Sequence, residues 1–171
     1  KKNKKKRIAE MKKKHPMYSL NDIVYRILRD EIVSKKDFYK LNLDLMKLKN
    51  YEIKLNSKKL FINKNNLKTI HNSGHIIGLH SHNHPTKLEN LDKKDQFNEY
   101  NDNKKFLKNI LKDKKYNSNI FSAAHPCGSY NKTTLKVMKK LDINLAFKQI
   151  MIKDEKIKKI NNSNLEIARQ N

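Results

Sequence analysis

Between Leu60 and Phe147 the chain alternates short apolar runs with longer amphipathic stretches, and this alternation restricts the fold more tightly than any other feature. Leu60-Phe61-Ile62 is the first apolar run. Asn63 then stands where a helix N-cap belongs, ahead of a stretch from Lys64 to about Asn72 that turns Leu67, Ile70 and His71 inward. His75 to Leu79 reads as a buried strand, with Gly78 where such a strand passes close to another backbone. A long helix is expected from about Asp92 to Lys112, with Phe97, Tyr100, Phe106, Leu107, Ile110 and Leu111 on one broad face. Asn119 to Ala124 and Ile143 to Phe147 read as two further strands separated by a helix from Lys132 to Lys140, and Leu165 to Arg169 as the start of another. Strands that alternate with helices build an α/β fold with a parallel sheet. Chemistry then belongs at the carboxyl ends of the strands.

The first third of the chain is different. Lys1 to Lys14 is a basic lead-in punctuated by Pro16, and Leu20, Ile23, Val24, Ile27 and Leu28 fall at helical spacing behind Ser19, which predicts a helix to about Val33. A second helix is expected from about Lys36 to Lys49. Asp30-Glu31 lies within the first helix's periodic pattern and reads as solvated surface. The expected organisation is a lead-in over residues 1–16, a helical segment over 17–58, and an α/β core over 59–171 that is cut short at both ends. The absence of an initiating methionine and the abrupt end at Gln170-Asn171 read as a fragment.

Charge narrows the choice of partners. Lys and Arg number 40 against 17 Asp and Glu, a formal charge of +23, which would draw the chain to polyanions. The positive residues are overwhelmingly lysines scattered through the sequence, without the arginine-aromatic stripe of a nucleic-acid surface, so a basic nucleic-acid-binding protein stands as an alternative and nucleic acid is not the expected partner. The single cysteine, Cys127, rules out an internal disulfide and any Cys-rich zinc module. No apolar run approaches the ~18 residues of a membrane span, and no signal peptide is visible. The compartment, cytoplasm or cell envelope of a bacterium-like cell, and the oligomeric state are left open.

Six of the seven histidines lie between His71 and His125. His80-Ser81-His82-Asn83-His84 follows the apolar strand 75–79, and a strand that ends in His-x-x-x-His can bend so that both imidazoles meet one cation. Two histidines need a third partner, usually a carboxylate, with open positions left for water and substrate. Such a site suits metal-assisted hydrolysis. A second strand runs into His125-Pro126-Cys127-Gly128-Ser129-Tyr130-Asn131, which repeats the pattern of a strand followed by a polar loop.

These two stretches resemble the polysaccharide deacetylases, the NodB-homology or carbohydrate esterase 4 family. Gly74-His75-Ile76-Ile77-Gly78-Leu79-His80-Ser81-His82-Asn83-His84-Pro85 is similar to that family's His-(Ser/Thr)-x-x-His motif, which usually follows Gly-x-x-Ile-Gly. Pro126-Cys127-Gly128-Ser129-Tyr130-Asn131 is similar to its Arg-x-Pro-(Tyr/Phe)-Gly motif with Tyr-Asn shortly after. The resemblance reaches from about Leu60 to Arg169. It implies a partial, distorted (β/α) barrel with the N-terminal helices as an insertion. The implied activity is a metal-dependent hydrolase that removes N- or O-acetyl groups from sugars of the cell envelope or surface glycans.

Carried over, His80 and His84 would ligate the metal, most simply Zn2+. Ser81 would brace the loop, and the backbone N–H of Cys127 would help hold the oxyanion formed when water attacks an acetyl carbonyl. His82, Pro126, Gly128 and Tyr130 would shape the surroundings of metal and substrate, and His125 would line the pocket or donate a proton. The family's Thr-Phe-Asp-Asp and Leu-x-His motifs have no match here, and the arginine of the third motif falls at Ala124. The acidic pair is expected upstream of Lys1. A catalytically inactive metal- or glycan-binding fragment of the same fold is therefore the alternative within this resemblance.

Overall fold

The structure is a computed structural model that describes residues 2–52, 60–112, 119–149 and 160–169. By internal packing the chain forms two compact units, Lys1–Phe61 and Ile62–Asn171. The boundary expected at residue 58 lies outside the described residues.

The first unit is helical. Helix α1 spans Lys2–Lys14, α2 spans Leu20–Ile27 and continues as a π-helical turn over Leu28–Ile32, and α3 spans Lys35–Leu48. Both α2 and α3 begin on a serine whose hydroxyl accepts an orphan backbone N–H. Ser19 accepts from Asp22 and Ser34 from Asp37, each at 3.1 Å. Arg7 of α1 lays its fork on the Glu31 carboxylate, with Nε 2.9 Å from Oε2, so Glu31 is an ion-pair partner as well as surface. Ile23 is fully buried, whereas Leu41, Leu45 and Leu48 of α3 stay exposed.

The second unit carries the sheet. Helix α4 spans Lys64–Asn72, α5 spans Lys93–Ile110, strand β1 spans Ser122–Ala124, α6 spans Lys132–Lys140 and β2 spans Leu145–Phe147. Strands β1 and β2 pair in parallel with Ser122 opposite Leu145 and Ala124 opposite Phe147. Parallel bridges extend the row on both sides, Leu79 to Ala123 and Phe147 to Ile167. Four parallel passes thus lie in the order Leu79, β1, β2, Ile167, and the fold is mixed α/β as the alternation predicts. The strands are shorter than expected. Segment 75–79 is reduced to one bridge because only Leu79 exchanges backbone bonds with β1, its N–H going to Ser122 O and its O receiving Ala124 N–H, both at 2.8 Å.

Gly78 makes that contact possible, since a Cβ there would fall 2.7 Å from Ser122 Oγ. Leu79, Leu88, Tyr100, Leu107, Ile120, Val137, Met138, Ile143 and Ala146 form one core between the sheet and helices α5 and α6. Two expected core residues are not in it. Phe106 is 45% exposed because Tyr100, Leu107 and Ile110 already occupy the inward face of α5, and Ile70 lies near the rim of α4 while Leu67 packs on the core.

Helices α5 and α6 are joined by a buried polar bond as well as by apolar packing. Thr134 Oγ1 donates to Gln96 Oε1 at 2.6 Å, and Gln96 Nε2 donates to Leu91 O at 2.8 Å. Lys104 reaches the carbonyl of Leu141 at the C-terminal end of α6, where a cation complements the helix dipole. Thr134→Val, which keeps the volume and leaves the Gln96 oxygen buried and unpaired, is expected to cost about 1–3 kcal/mol in urea denaturation. It should leave the far-ultraviolet helix signal of the native state unchanged.

Candidate active site

At the carboxyl end of the Leu79 pass the backbone turns sharply through His80 to His84. Ser81 and His84 hold φ values of 62° and 51°, a left-handed conformation that costs a side-chain-bearing residue about 1–3 kcal/mol each unless surroundings impose it. The surroundings do so through side-chain acceptors. His84 N–H donates to the hydroxyl oxygen of the buried Ser81 at 3.1 Å. His80 N–H donates to Asn103 Oδ1 at 3.1 Å, and the N–H groups of His82 and Asn83 both reach Glu99 Oε2, at 3.0 and 2.8 Å.

This turn brings the rings of His80 and His84 together edge to face, with centroids 4.9 Å apart, and leaves both side chains at the surface. His80 Nδ1 lies 3.0 Å from the carbonyl oxygen of Ala124. A carbonyl only accepts, so that nitrogen carries the proton, and in the neutral ring Nε2 is left with its lone pair. An imidazole fixed through one nitrogen so that the other can bind is how proteins present histidine to a metal. The donor set therefore fits a borderline cation such as Zn2+ at two positions. Among the described residues no third His, Cys, Asp or Glu completes the set.

His82 points elsewhere, its ring lying edge to face with Phe106 at 6.3 Å. A cavity of about 290 Å³ opens beside His80, with Ile77, Ser81, Asn103, Phe106 and Leu107 in its wall. A larger one, about 540 Å³, lies in the helical unit between α1 and α2 and contains none of this chemistry.

The second loop follows β1. Pro126–Gly128 form a 3-10 turn in which Gly128 N–H donates to His125 O at 3.1 Å and Ser129 N–H to Pro126 O at 2.8 Å. Cys127 sits exposed at the tip with φ 52°, and Gly128 follows at φ 67°. A Cβ at 128 would also meet Gln149 Cβ at 3.0 Å, so glycine is required there twice over. Ser129 Oγ accepts the Glu89 N–H and Asn131 Nδ2 donates to Glu89 O, which tie this loop to the 3-10 turn Leu88–Asn90.

His125 does not line an open pocket, contrary to expectation. It is 1% exposed, its Nε2 donates to Leu165 O at 2.9 Å, and it stacks on Tyr130 with centroids 4.2 Å apart. Turning inward lets the ring span the gap between the β1 loop and the Leu165 segment, a post that removes it from any surface where substrate could arrive. Tyr130 in turn donates from its hydroxyl to Glu166 Oε1 at 3.2 Å.

The acceptors that set the histidine turn, Glu99 and Asn103, were not foreseen from the sequence. They are two polar residues on a Lys- and Asn-rich helix. The one available signal was their spacing of four, which puts both on the same helix face.

Residues 36–146 match the family model for polysaccharide deacetylase, and the chain belongs to that family. A solved structure described as the Streptococcus pyogenes deacetylase PplD in complex with acetate aligns with a TM-score of 0.54 at 23% identity, covering 85% of this chain and 69% of that one. The fold is accordingly of the NodB type, with a partial sheet and added helices. No curated protein matches. Among the described residues no helix is long and apolar enough to cross a membrane.

Burial pushes the His125 imidazole below its ordinary pKa, opposed by its bond to the Leu165 carbonyl and by Glu166, with His80 adding to the lowering. The unfolded chain therefore takes up this proton first as pH falls. The stability that depends on a neutral His125 is full above about 6.5 and is lost as pH drops below that value toward the folded pKa. Urea denaturation between pH 7.5 and 5.5 should show this loss in the native chain and a flatter profile in His125→Gln, on the order of that single group's contribution.

Proposed function

We propose that this protein is a metal-dependent deacetylase that hydrolyses N- or O-acetyl groups on sugars of the cell envelope or surface glycans. The observation that carries the reading is the imidazole pair. His80 and His84 converge at an exposed strand end, and Ala124 O leaves the Nε2 of His80 as the ligating atom. His80 and His84 would hold the cation, most simply Zn2+, with a carboxylate partner from outside the described residues. When bound, the cation supplies Lewis-acid chemistry for hydrolysis.

The chain's own groups do the rest. Ser81 holds the His84 backbone. The Cys127 N–H, at the exposed tip of its turn, would stabilise negative charge on the acetyl oxygen during attack by water. Cys127 would contribute through its backbone N–H. Pro126 and Gly128 set the shape of that turn, Tyr130 backs it by stacking on His125, and His82 stays beside Phe106, off the cation. The missing third ligand among the described residues favours one second reading, a catalytically inactive metal- or glycan-binding protein of the same fold.

The test is Zn2+ binding and acetate release from acetylated glycans by the full-length protein, beside the His80→Ala/His84→Ala double variant. The deacetylase reading expects bound Zn2+ and acetate in the native protein, and loss of both in the variant, with Zn2+ affinity down at least about 100-fold. Zn2+ and glycan binding without acetate selects the second reading. Absence of Zn2+ binding overturns the metal-dependent deacetylase, and absence of glycan binding as well overturns both.

A further inference from the structure

Helix α5 supplies acceptors to three of the five backbone N–H groups between His80 and His84. Glu99 and Asn103 stand four residues apart and so face the same way. Glu99 takes three hydrogen bonds. Its Oε2 receives His82 N–H at 3.0 Å and Asn83 N–H at 2.8 Å, and its Oε1 receives Asn83 Nδ2 at 2.8 Å. Asn103 Oδ1 receives His80 N–H at 3.1 Å. Of the residues so held, His82 and Asn83 lie between the two left-handed ones, Ser81 and His84, whose strained backbone persists only where neighbours over-determine it.

The adjoining face of α5 is anchored in the core through Tyr100, Leu107 and the Gln96–Thr134 bond, which fixes the helix that carries the two acceptors. Backbone N–H groups pinned at 80, 82 and 83 determine which imidazoles come together. The rings at 80 and 84 meet, and the ring at 82, equally near in sequence to both, is turned to Phe106.

We infer that Glu99, assisted by Asn103, is the positioning residue of this site, selecting His80 and His84 over His82 as the cation-binding pair. The inference rests on the reading of His80 and His84 as cation ligands. Glu99 itself is not a ligand here, because its two oxygens are occupied by the loop. Its effect is on affinity, through the conformational freedom that the loop would otherwise have to surrender on binding.

The experiment uses the full-length protein in four forms: native, Glu99→Ala, Glu99→Gln and Asn103→Ala. Zn2+ binding is measured by calorimetry, imidazole resonances of His80, His82 and His84 by NMR with and without Zn2+, and folding by thermal denaturation. Glutamine can still accept the two backbone N–H groups with its oxygen and meet a rotated Asn83 amide with its nitrogen. The expected result is Zn2+ affinity about 10–100-fold weaker in Glu99→Ala, with a smaller loss in Asn103→Ala and most of the affinity recovered in Glu99→Gln. Zn2+ should move the His80 and His84 resonances of the native protein and leave His82 still, whereas in Glu99→Ala all three should respond.

Equal Zn2+ affinity in native and Glu99→Ala proteins would overturn the inference and leave the deacetylase reading intact. A native protein that binds no Zn2+ would overturn both. If Glu99→Ala fails to fold, Glu99→Gln and Asn103→Ala decide the matter. An affinity loss in Asn103→Ala with retention in Glu99→Gln supports the inference, and native affinity in Asn103→Ala together with a full loss in Glu99→Gln sinks it.

Discussion

The pairing of Leu79 with β1 is the contact on which the site depends. Two backbone bonds of 2.8 Å join them, and Gly78 allows the approach by presenting no Cβ to Ser122. Once that pass is in register, Ala124 O stands at the right height to receive His80 Nδ1, and the same residue leads directly into the His125–Asn131 loop. One register therefore places both motifs at the same edge of the sheet. A slip of a single residue would turn Leu79 out of the core and His80 into it.

The buried polar groups hold this edge from behind. His125 joins the β1 loop to the Leu165 segment, and Ser129 and Asn131 join it to Glu89. Gln96 and Thr134 fasten α5 to α6. Groups that lie this deep stabilise the fold only because they are paired, and each carries the full desolvation cost if its partner is removed. These bonds tie both loops to the body of the second unit. Charge plays little part in this. Among the described residues the lysines are mainly on solvated faces, and Lys104, which is buried, serves as a cap on α6.

The division of labour within the turn 80–84 follows from hydrogen-bond arithmetic. A five-residue turn with two left-handed residues cannot satisfy its own N–H groups through regular structure, so they seek side-chain acceptors. Ser81 satisfies one locally, and α5 satisfies three more from a distance of roughly twenty residues in sequence. The local acceptor was an expectation that the family resemblance implied. The distant ones were not, because Glu99 and Asn103 have the composition of any solvated helix face until the helix is docked.

By itself the sequence determined the α/β class, the helices behind Ser19, Asn63, Asp92 and Asn131, and the two loops that carry the family's motifs, since capping residues, apolar periodicity and glycine positions act over a few residues. It also singled out His80 and His84 by spacing. Only the tertiary structure decided that His125 is buried as a post between two segments, that Phe106 stays at the surface beside His82, and that Glu99 governs the shape of the histidine turn. Those outcomes depend on which helix face meets which loop. That choice is made by packing between residues far apart in the chain, where local pattern carries no information.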